Sequence, residues 1–72
     1  MTGFRKIERE LRRLGWTGRH ASGDHVKFRK ASVVGIIIVS KSLSDGGSSF
    51  YNKISEIRRI EPGFMVRGRR RN

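Results

Sequence analysis

The spacing of the apolar residues changes twice along this chain, and that pattern limits the folds it can adopt. Between residues 4 and 14 they recur every three or four positions, which is typical of one helix face. Between residues 25 and 40 they follow the spacing of strands, and beyond residue 48 the helical spacing returns. The predicted order is therefore helix, three strands, helix. The helical positions expected to face the core are Phe4, Ile7, Leu11, Leu14, Phe50, Ile54, Ile57 and Ile60.

Glycine and polar residues set the predicted limits of these elements. The first helix should run from about residue 3 to 14, with Thr2 as its cap and Gly15 at its end. The second helix should follow Ser44, Asp45 or Ser48 as its cap and run to about residue 60, with Gly46 and Gly47 weakening its first turn. The predicted strands are residues 16–21, 25–29 and 33–40, joined by turns at 22–24 and 30–32.

This order of elements favours an α+β domain of two layers. In an α-β-β-β-α chain, both helices can bury their apolar faces on one side of a three-stranded antiparallel sheet. The length of 72 residues predicts a single domain, which we place at residues 1–63. Residues 64–72 are rich in arginine and are expected to form a basic, flexible C-terminal tail.

The third predicted strand is apolar on both of its faces. Val34, Ile36 and Ile38 should point to one side of the sheet, and Val33, Ile37 and Val39 to the other. Strands of this kind are usually buried on both sides. Either loops or the C-terminal tail cover the second face, or it is an exposed surface for another molecule. The second case would allow a homodimer through the strand from Val33 to Val39.

Composition restricts the classes of function. The net charge is +11, from 17 Lys and Arg against 6 Asp and Glu, so nucleic acid is the expected partner. The chain has no cysteine, which excludes disulfides and thiolate metal sites and fits a cytoplasmic location. No apolar run approaches the roughly 20 residues of a membrane span. An anionic membrane surface is a weaker alternative because the basic residues are spread over several elements, so no membrane partner is expected; an acidic protein is the third alternative. A domain this small leaves no room for a deep pocket, and an active site should be shallow.

His25 is the strongest candidate for a catalytic residue. The turn formed by Ser22, Gly23 and Asp24 places it at the start of a predicted strand, where it can be held rigidly. Residues two apart on a strand share a face, so Lys27 should lie beside His25, and Arg29 beyond it. An imidazole can give or take a proton near neutral pH, and neighbouring cations can stabilise charge on a phosphodiester. A purely structural or phosphate-contacting role for His25 is the alternative.

Further basic residues are predicted to contact phosphate. His20 is a weaker catalytic candidate, since a strand residue of this kind more often simply faces solvent. Asp24, His20 and His25 do not have the spacing of a known metal site, so no metal and no cofactor are expected. Trp16 and Phe28 could stack on bases, but aromatic residues at such positions more often belong to the core. The predicted phosphate-binding residues are Lys27, Arg29, Arg19, Lys41, Arg12 and Arg13.

Several motifs follow one another in a fixed order along the chain. They are Leu14-Gly15-Trp16, the turn Gly23-Asp24-His25 with Val26-Lys27-Phe28 after it, the apolar stretch 35–39, the segment 40–45 and the helix 52–60. This ordered set resembles the HicA toxin family over roughly residues 4 to 61, and it is the order of the motifs at these spacings that makes the resemblance specific. Asp24 stands where the family usually has serine.

The resemblance implies a fold, an activity and a partner. HicA proteins are mRNA interferases with a fold like the double-stranded-RNA-binding domain, and their functional histidine corresponds to His25. The implied function is metal-independent cleavage of mRNA, and the implied partner is an acidic antitoxin of the HicB type that covers His25. The alternatives are a non-catalytic RNA- or DNA-binding module with the same fold, or a structural protein associated with nucleic acid.

Overall fold

A computed structural model describes residues 2–66 of the chain. The strands form one antiparallel sheet in the order β1-β2-β3. The predicted α-β-β-β-α order is therefore confirmed, and the chain forms a small α+β domain. The elements are α1 (Gly3–Arg13), β1 (Thr17–His20), β2 (His25–Lys30), β3 (Val33–Ser40) and α2 (Ser48–Ile60).

Local sequence signals account for the limits of α1. The Thr2 hydroxyl accepts a hydrogen bond from the Arg5 amide at 3.2 Å, which satisfies one of the free donors at the start of the helix. Gly15 follows the helix with a φ of 97°, a backbone conformation that favours glycine. Arg12 and Arg13 lie in the last turn, where their charge complements the helix dipole. The predicted cap and end of α1 are both confirmed.

The start of α2 differs from the sequence prediction. The N-cap is Gly47, which makes no side-chain capping hydrogen bond, instead of Ser44, Asp45 or Ser48. The backbone carbonyl of Gly47 accepts from the Tyr51 amide at 3.1 Å and so begins the helix without a polar side chain.

Alternation along the strands gives the sheet two different faces. Val26 and Phe28 are buried, whereas His25 and Arg29 are exposed on the opposite side. We call the side with the buried residues the helix face, because both helices pack there, and the other side the outer face. The helix face carries Gly18, His20, Val26, Phe28, Ile37 and Val39; the outer face carries Thr17, Arg19, His25, Lys27, Arg29, Val34, Ile36, Ile38 and Ser40.

One hydrophobic core lies between the helices and the helix face. Trp16 and Phe28 both belong to it, as the core alternative for these aromatics predicted. Phe64 is only 2% exposed and Val66 packs against the core, so the packed chain continues past residue 63. The rest of the predicted basic tail, residues 67–72, lies outside the described residues. The core consists of Phe4, Ile7, Leu11, Trp16, Val26, Phe28, Ile37, Val39, Phe50, Ile54, Ile57 and Phe64.

The outer face of β3 is apolar and open within the described part of the chain. Val34 is 101% exposed, Ile38 43% and Ile36 36%. Between residues 2 and 66, no loop covers these three side chains. Of the two explanations for the apolar third strand, the structure of residues 2–66 agrees with the one in which its second face is an exposed surface.

Candidate nucleic-acid interface

His25 is the first residue of β2 and lies on the outer face. Its backbone closes the β1–β2 hairpin: its amide donates to the Ser22 carbonyl at 3.0 Å, and its carbonyl accepts from the Ala21 amide at 2.9 Å. Across the sheet it pairs with Ser40 of β3. Gly23 has a φ of 53°, the left-handed conformation that this tight turn requires. The backbone around His25 is therefore fixed on both sides, while the imidazole is exposed.

Asp24, which precedes His25, ties the hairpin to the end of β3. One of its carboxylate oxygens accepts from the Ser40 hydroxyl at 2.8 Å and from the Ser42 amide at 3.0 Å. Its backbone carbonyl accepts from the Lys41 amide at 2.7 Å. The hydroxyls of Ser42 and Ser40 lower the pKa of the Asp24 carboxyl because they stabilise its charged form. Asp24 therefore acts as an ionised anchor between two segments of the fold.

Three cations lie close together on the outer face. Arg19 of β1 is directly opposite Lys27 of β2, and Arg29 follows two residues later, opposite Thr17. Two residues along a strand span about 7 Å, so His25, Lys27 and Arg29 form a row along β2. Like charges directly opposite each other destabilise a sheet. The Arg19–Lys27 pair is therefore a local electrostatic cost that a bound anion would relieve.

The carboxylates of the chain do not neutralise this group of cations. All six acidic residues are described, and each has polar partners elsewhere in the fold. Among residues 2–66, Arg19, Lys27 and Arg29 consequently form no ion pair. The six sets of contacts are Glu8 with Arg5 and Arg12, Glu10 with Arg13, Asp24 with Ser40 and Ser42, Asp45 with Lys6, Glu56 with Lys53, and Glu61 with Lys30.

The other predicted phosphate-binding residues do not join the row of cations on the outer face, although the Lys41 backbone lies close to His25 through its hydrogen bond to Asp24. Arg12 and Lys41 line a groove beside the helix face, together with His20. Arg13 donates to Glu10 through Nε and Nη2, both at 2.9 Å. The sequence predicts these cations as one phosphate-binding group, but the sheet separates them. They come from different elements, and the tertiary packing decides which face each one reaches.

His20 is the last residue of the edge strand β1. Its side chain is exposed, as expected of a solvent-facing strand residue. However, it pairs with the buried Val26, so it lies on the helix face at the edge strand of the sheet. Pairing the two strands back from the turn at 22–24 would have placed His20 and His25 on opposite faces.

Trp16 is held in the core by a polar contact that excludes it from base stacking. Its Nε1 donates to the Glu61 carboxylate at 2.9 Å, and Lys30 donates to the same oxygen at 3.0 Å. The other oxygen of Glu61 accepts from the Gly63 amide at 3.1 Å. The Trp16 hydrogen bond, with a smaller effect of Lys30, lowers the pKa of the Glu61 carboxyl. This network joins the segment between α1 and β1, the end of β2 and the segment after α2.

Other features bear on the class of protein. The described residues contain no group of three or more His, Cys, Asp or Glu side chains that could hold a metal ion. Neither α1 nor α2, the helices that residues 2–66 contain, is long and apolar enough to cross a membrane. Comparison of the chain with protein-family models, curated proteins and solved structures gave no significant match.

Proposed function

We propose that this protein binds RNA on the outer face of its sheet and cleaves it through His25, as an mRNA interferase of the HicA type would. The observation that carries the proposal is the group formed by Arg19, Lys27 and Arg29. These three cations have no carboxylate partner between residues 2 and 66. Lys27 and Arg29 lie on the same strand and face as the exposed His25, and Arg19 lies on the neighbouring strand. A phosphodiester backbone would neutralise them and remove the Arg19–Lys27 repulsion.

The chemistry that His25 could perform needs no metal. The 2′-hydroxyl of the ribose attacks the adjacent phosphorus, the bond from phosphorus to the 5′-oxygen breaks, and that oxygen leaves with a proton. An imidazole could remove the first proton or supply the second, which typically contributes about 10²–10⁴-fold. Lys27 would offset the charge that develops on the phosphate oxygens. With one proton-transfer group identified on this face, we expect a slow enzyme.

A non-catalytic RNA- or DNA-binding module is the second candidate, and the contacts of Asp24 favour it. The carboxylate next to His25 accepts hydrogen bonds from Ser40 and Ser42. No side chain between residues 2 and 66 forms a hydrogen bond with the His25 ring, so nothing in that range orients the imidazole as in a catalytic dyad. In this case the outer face would bind the backbone and leave it intact.

Cleavage of RNA by matched preparations separates the two candidates. Wild type and His25→Ala are purified in parallel and incubated in EDTA with single-stranded RNA and with DNA of the same sequence. We expect the wild type to cut RNA, the variant to bind it without cutting, and DNA to remain whole because it lacks the 2′-hydroxyl. Intact RNA with the wild type would reject the nuclease. Equal cutting by His25→Ala would show that the activity comes from another residue or a contaminant.

The salt dependence of RNA binding tests the outer face independently of cleavage. Each cation that contacts a phosphate of a single strand contributes about 0.7 to the slope of log affinity against log salt. Arg19→Gln and Lys27→Gln should therefore each lower that slope by about 0.7. Arg59→Gln, which removes one exposed charge from α2, is the control and should leave it unchanged. Equal effects of all three variants would mean that only the net charge matters.

The partner proteins implied by the resemblance remain predictions. An acidic antitoxin of the HicB type would suit the cations of the outer face. The exposed apolar side chains of Val34, Ile36 and Ile38 would suit either that partner or a second copy of this chain. The net charge of +11 opposes self-association, which makes the acidic partner the better of the two.

A further inference from the structure

A groove lies on the helix-face side of the sheet edge, between α1 and β1. Its volume of about 450 Å³ is in the range of pockets that hold small organic molecules. Phe4 and Val26, both 6% exposed, and Gly18 supply its apolar lining. The charged or polar residues that line it are Arg5, Glu8 and Arg12 of α1, Thr2 before that helix, His20 of β1 and Lys41 after β3.

The positive charge of this groove is only partly neutralised. Glu8 is shared between two arginines, with Arg5 Nη1 at 3.2 Å and Arg12 Nη2 at 3.4 Å. Both distances exceed the 2.7–2.9 Å of a strong charge-assisted hydrogen bond. Each guanidinium has five donors and gives one of them to Glu8, so most remain available. One carboxylate thus faces three permanent cations, Arg5, Arg12 and Lys41.

The other ion pairs between residues 2 and 66 are all shorter than those of Glu8 with Arg5 and Arg12, which distinguishes the paired arginines of the groove. Arg13 binds Glu10 through two nitrogens at 2.9 Å, and Lys6 lies 2.6 Å from Asp45. Those pairs already use their carboxylates at short range. The groove combines loosely paired arginines with an apolar lining, and such a lining strengthens the attraction of any anion that enters.

His20 adds an oriented imidazole to this groove. Its Nε2 lies 2.8 Å from the Gly23 carbonyl oxygen, which can only accept a hydrogen bond. Nε2 is therefore the protonated nitrogen, and in the neutral ring Nδ1 carries the lone pair. In functional histidines, one ring nitrogen is often held by a hydrogen bond that fixes the tautomer and leaves the other nitrogen free for the ligand. No such partner contacts His25 among the described residues.

We propose that this groove is a second phosphate-binding site, in which Arg5, Arg12 and Lys41 bind the phosphate group of a nucleotide or polynucleotide and His20 lines the wall beside it. The phosphate oxygens accept from both guanidiniums and displace their weak contacts with Glu8. The apolar lining lies against the sugar or base. The site does not depend on cleavage at His25, because it lies on the other face of the sheet.

Titration of the folded protein with inorganic phosphate at constant ionic strength, followed by NMR, tests the site. We expect the resonances of His20, the Arg12 guanidinium and Gly18 to move together, and those of Arg19, Lys27 and Arg29 to move less. Arg12→Gln should weaken binding by about three- to tenfold. Arg9→Gln, which removes the same charge from an exposed position on the same helix, should leave the affinity unchanged. Thermal melting of both variants confirms that they are folded.

Two further arms identify the source of the phosphate. A triribonucleotide with a 5′-phosphate and the same molecule with a 5′-hydroxyl are titrated in turn against the His25→Ala variant, which prevents cleavage. Tighter binding of the phosphorylated form at His20 assigns the groove to a terminal phosphate, and equal binding assigns it to the backbone. Shifts confined to the outer face, or equal losses for Arg12→Gln and Arg9→Gln, would overturn the proposal. Failure of the nuclease reaction would not affect this result.

Discussion

Gly18 lies in β1 directly opposite Phe28, and replacing it tests whether the core is packed as tightly as the structure indicates. A Cβ at this position would lie 2.6 Å from Phe28 Cε1 and 3.0 Å from Cδ1, which is closer than such atoms approach in proteins. The Phe28 ring is fully buried and lies near the Phe4 ring, with centroids 6.5 Å apart. It therefore has no free space to move into, and Gly18→Ala must displace either the ring or the strand.

The expected loss of stability follows from two opposing effects. Adding a methyl group to a packed core costs about 1–3 kcal/mol. Replacing glycine lowers the conformational entropy of the unfolded chain, which stabilises the folded state by about 0.4–1 kcal/mol. The free energy of unfolding should therefore fall by about 1–2 kcal/mol, out of about 4–11 kcal/mol for a chain of this size. The melting temperature should drop by about 4–16 °C, measured by circular dichroism.

A double-mutant cycle decides whether the contact with Phe28 is the cause. Phe28→Leu keeps an apolar side chain but removes the ring atoms that the new methyl group would meet. In that background, Gly18→Ala should cost less than about 0.5 kcal/mol, because the two positions are coupled. If Gly18→Ala costs the same in both backgrounds, the reasoning is wrong, and the strand itself would be intolerant of alanine.

The other predictions concern a carboxylate, a hydroxyl and an exposed side chain. Glu61 has a lowered pKa in the folded state, so its contribution to stability is present above the unfolded value of about 4.3 and is lost as the pH falls through the folded value. In urea titrations, the free energy of unfolding of Glu61→Gln should therefore be about 1 kcal/mol below that of the wild type at pH 7. This difference should disappear below about pH 4, and a difference that stays constant with pH would contradict the prediction. The Tyr51 hydroxyl is buried without a partner among residues 2–66, so Tyr51→Phe should leave the melting temperature equal or higher, and a clear decrease would reveal a hidden hydrogen bond. Val34→Thr should change the free energy of unfolding by less than about 0.5 kcal/mol because Val34 is fully exposed, and a loss above 1 kcal/mol would show that another part of the chain covers it.

Periodic patterns made most of the fold predictable from the sequence. The helical spacing in α1, the apolar run in β3 and the end of α2 were predicted within one residue of those observed, because several positions support each pattern. Single residues were harder to place. Phe64 follows Pro62 and Gly63, which indicate the end of a helix, and one apolar residue has no period that would reveal its burial. Gly47 caps α2 through its backbone, so no side chain indicates the position.

The position of His25 within the candidate interface was predictable, and the division of the basic residues was not. His25, Lys27 and Arg29 share a face because they are two residues apart in one strand, which sequence alone determines. Arg12 and Lys41 are 29 positions apart, and they meet beside His20 only because α1 packs against the edge of the sheet. Net charge and composition cannot show that residues so far apart in sequence are close in space.

The hairpin turn links the two surfaces, and this restricts what a mutation there can reveal. The Gly23 carbonyl holds the His20 side chain on the helix-face side of the sheet. Asp24, the next residue, anchors the end of β3, and His25 after it presents its imidazole on the outer face. Replacing Asp24 by the serine usual in the HicA family would remove an ionised anchor from Ser40 and the following loop, which also carries Lys41. Loss of RNA binding in that variant would therefore not identify the outer face as the site. Only the paired effects of Arg19→Gln and Arg12→Gln separate the two surfaces, because neither residue contacts the turn through a described hydrogen bond.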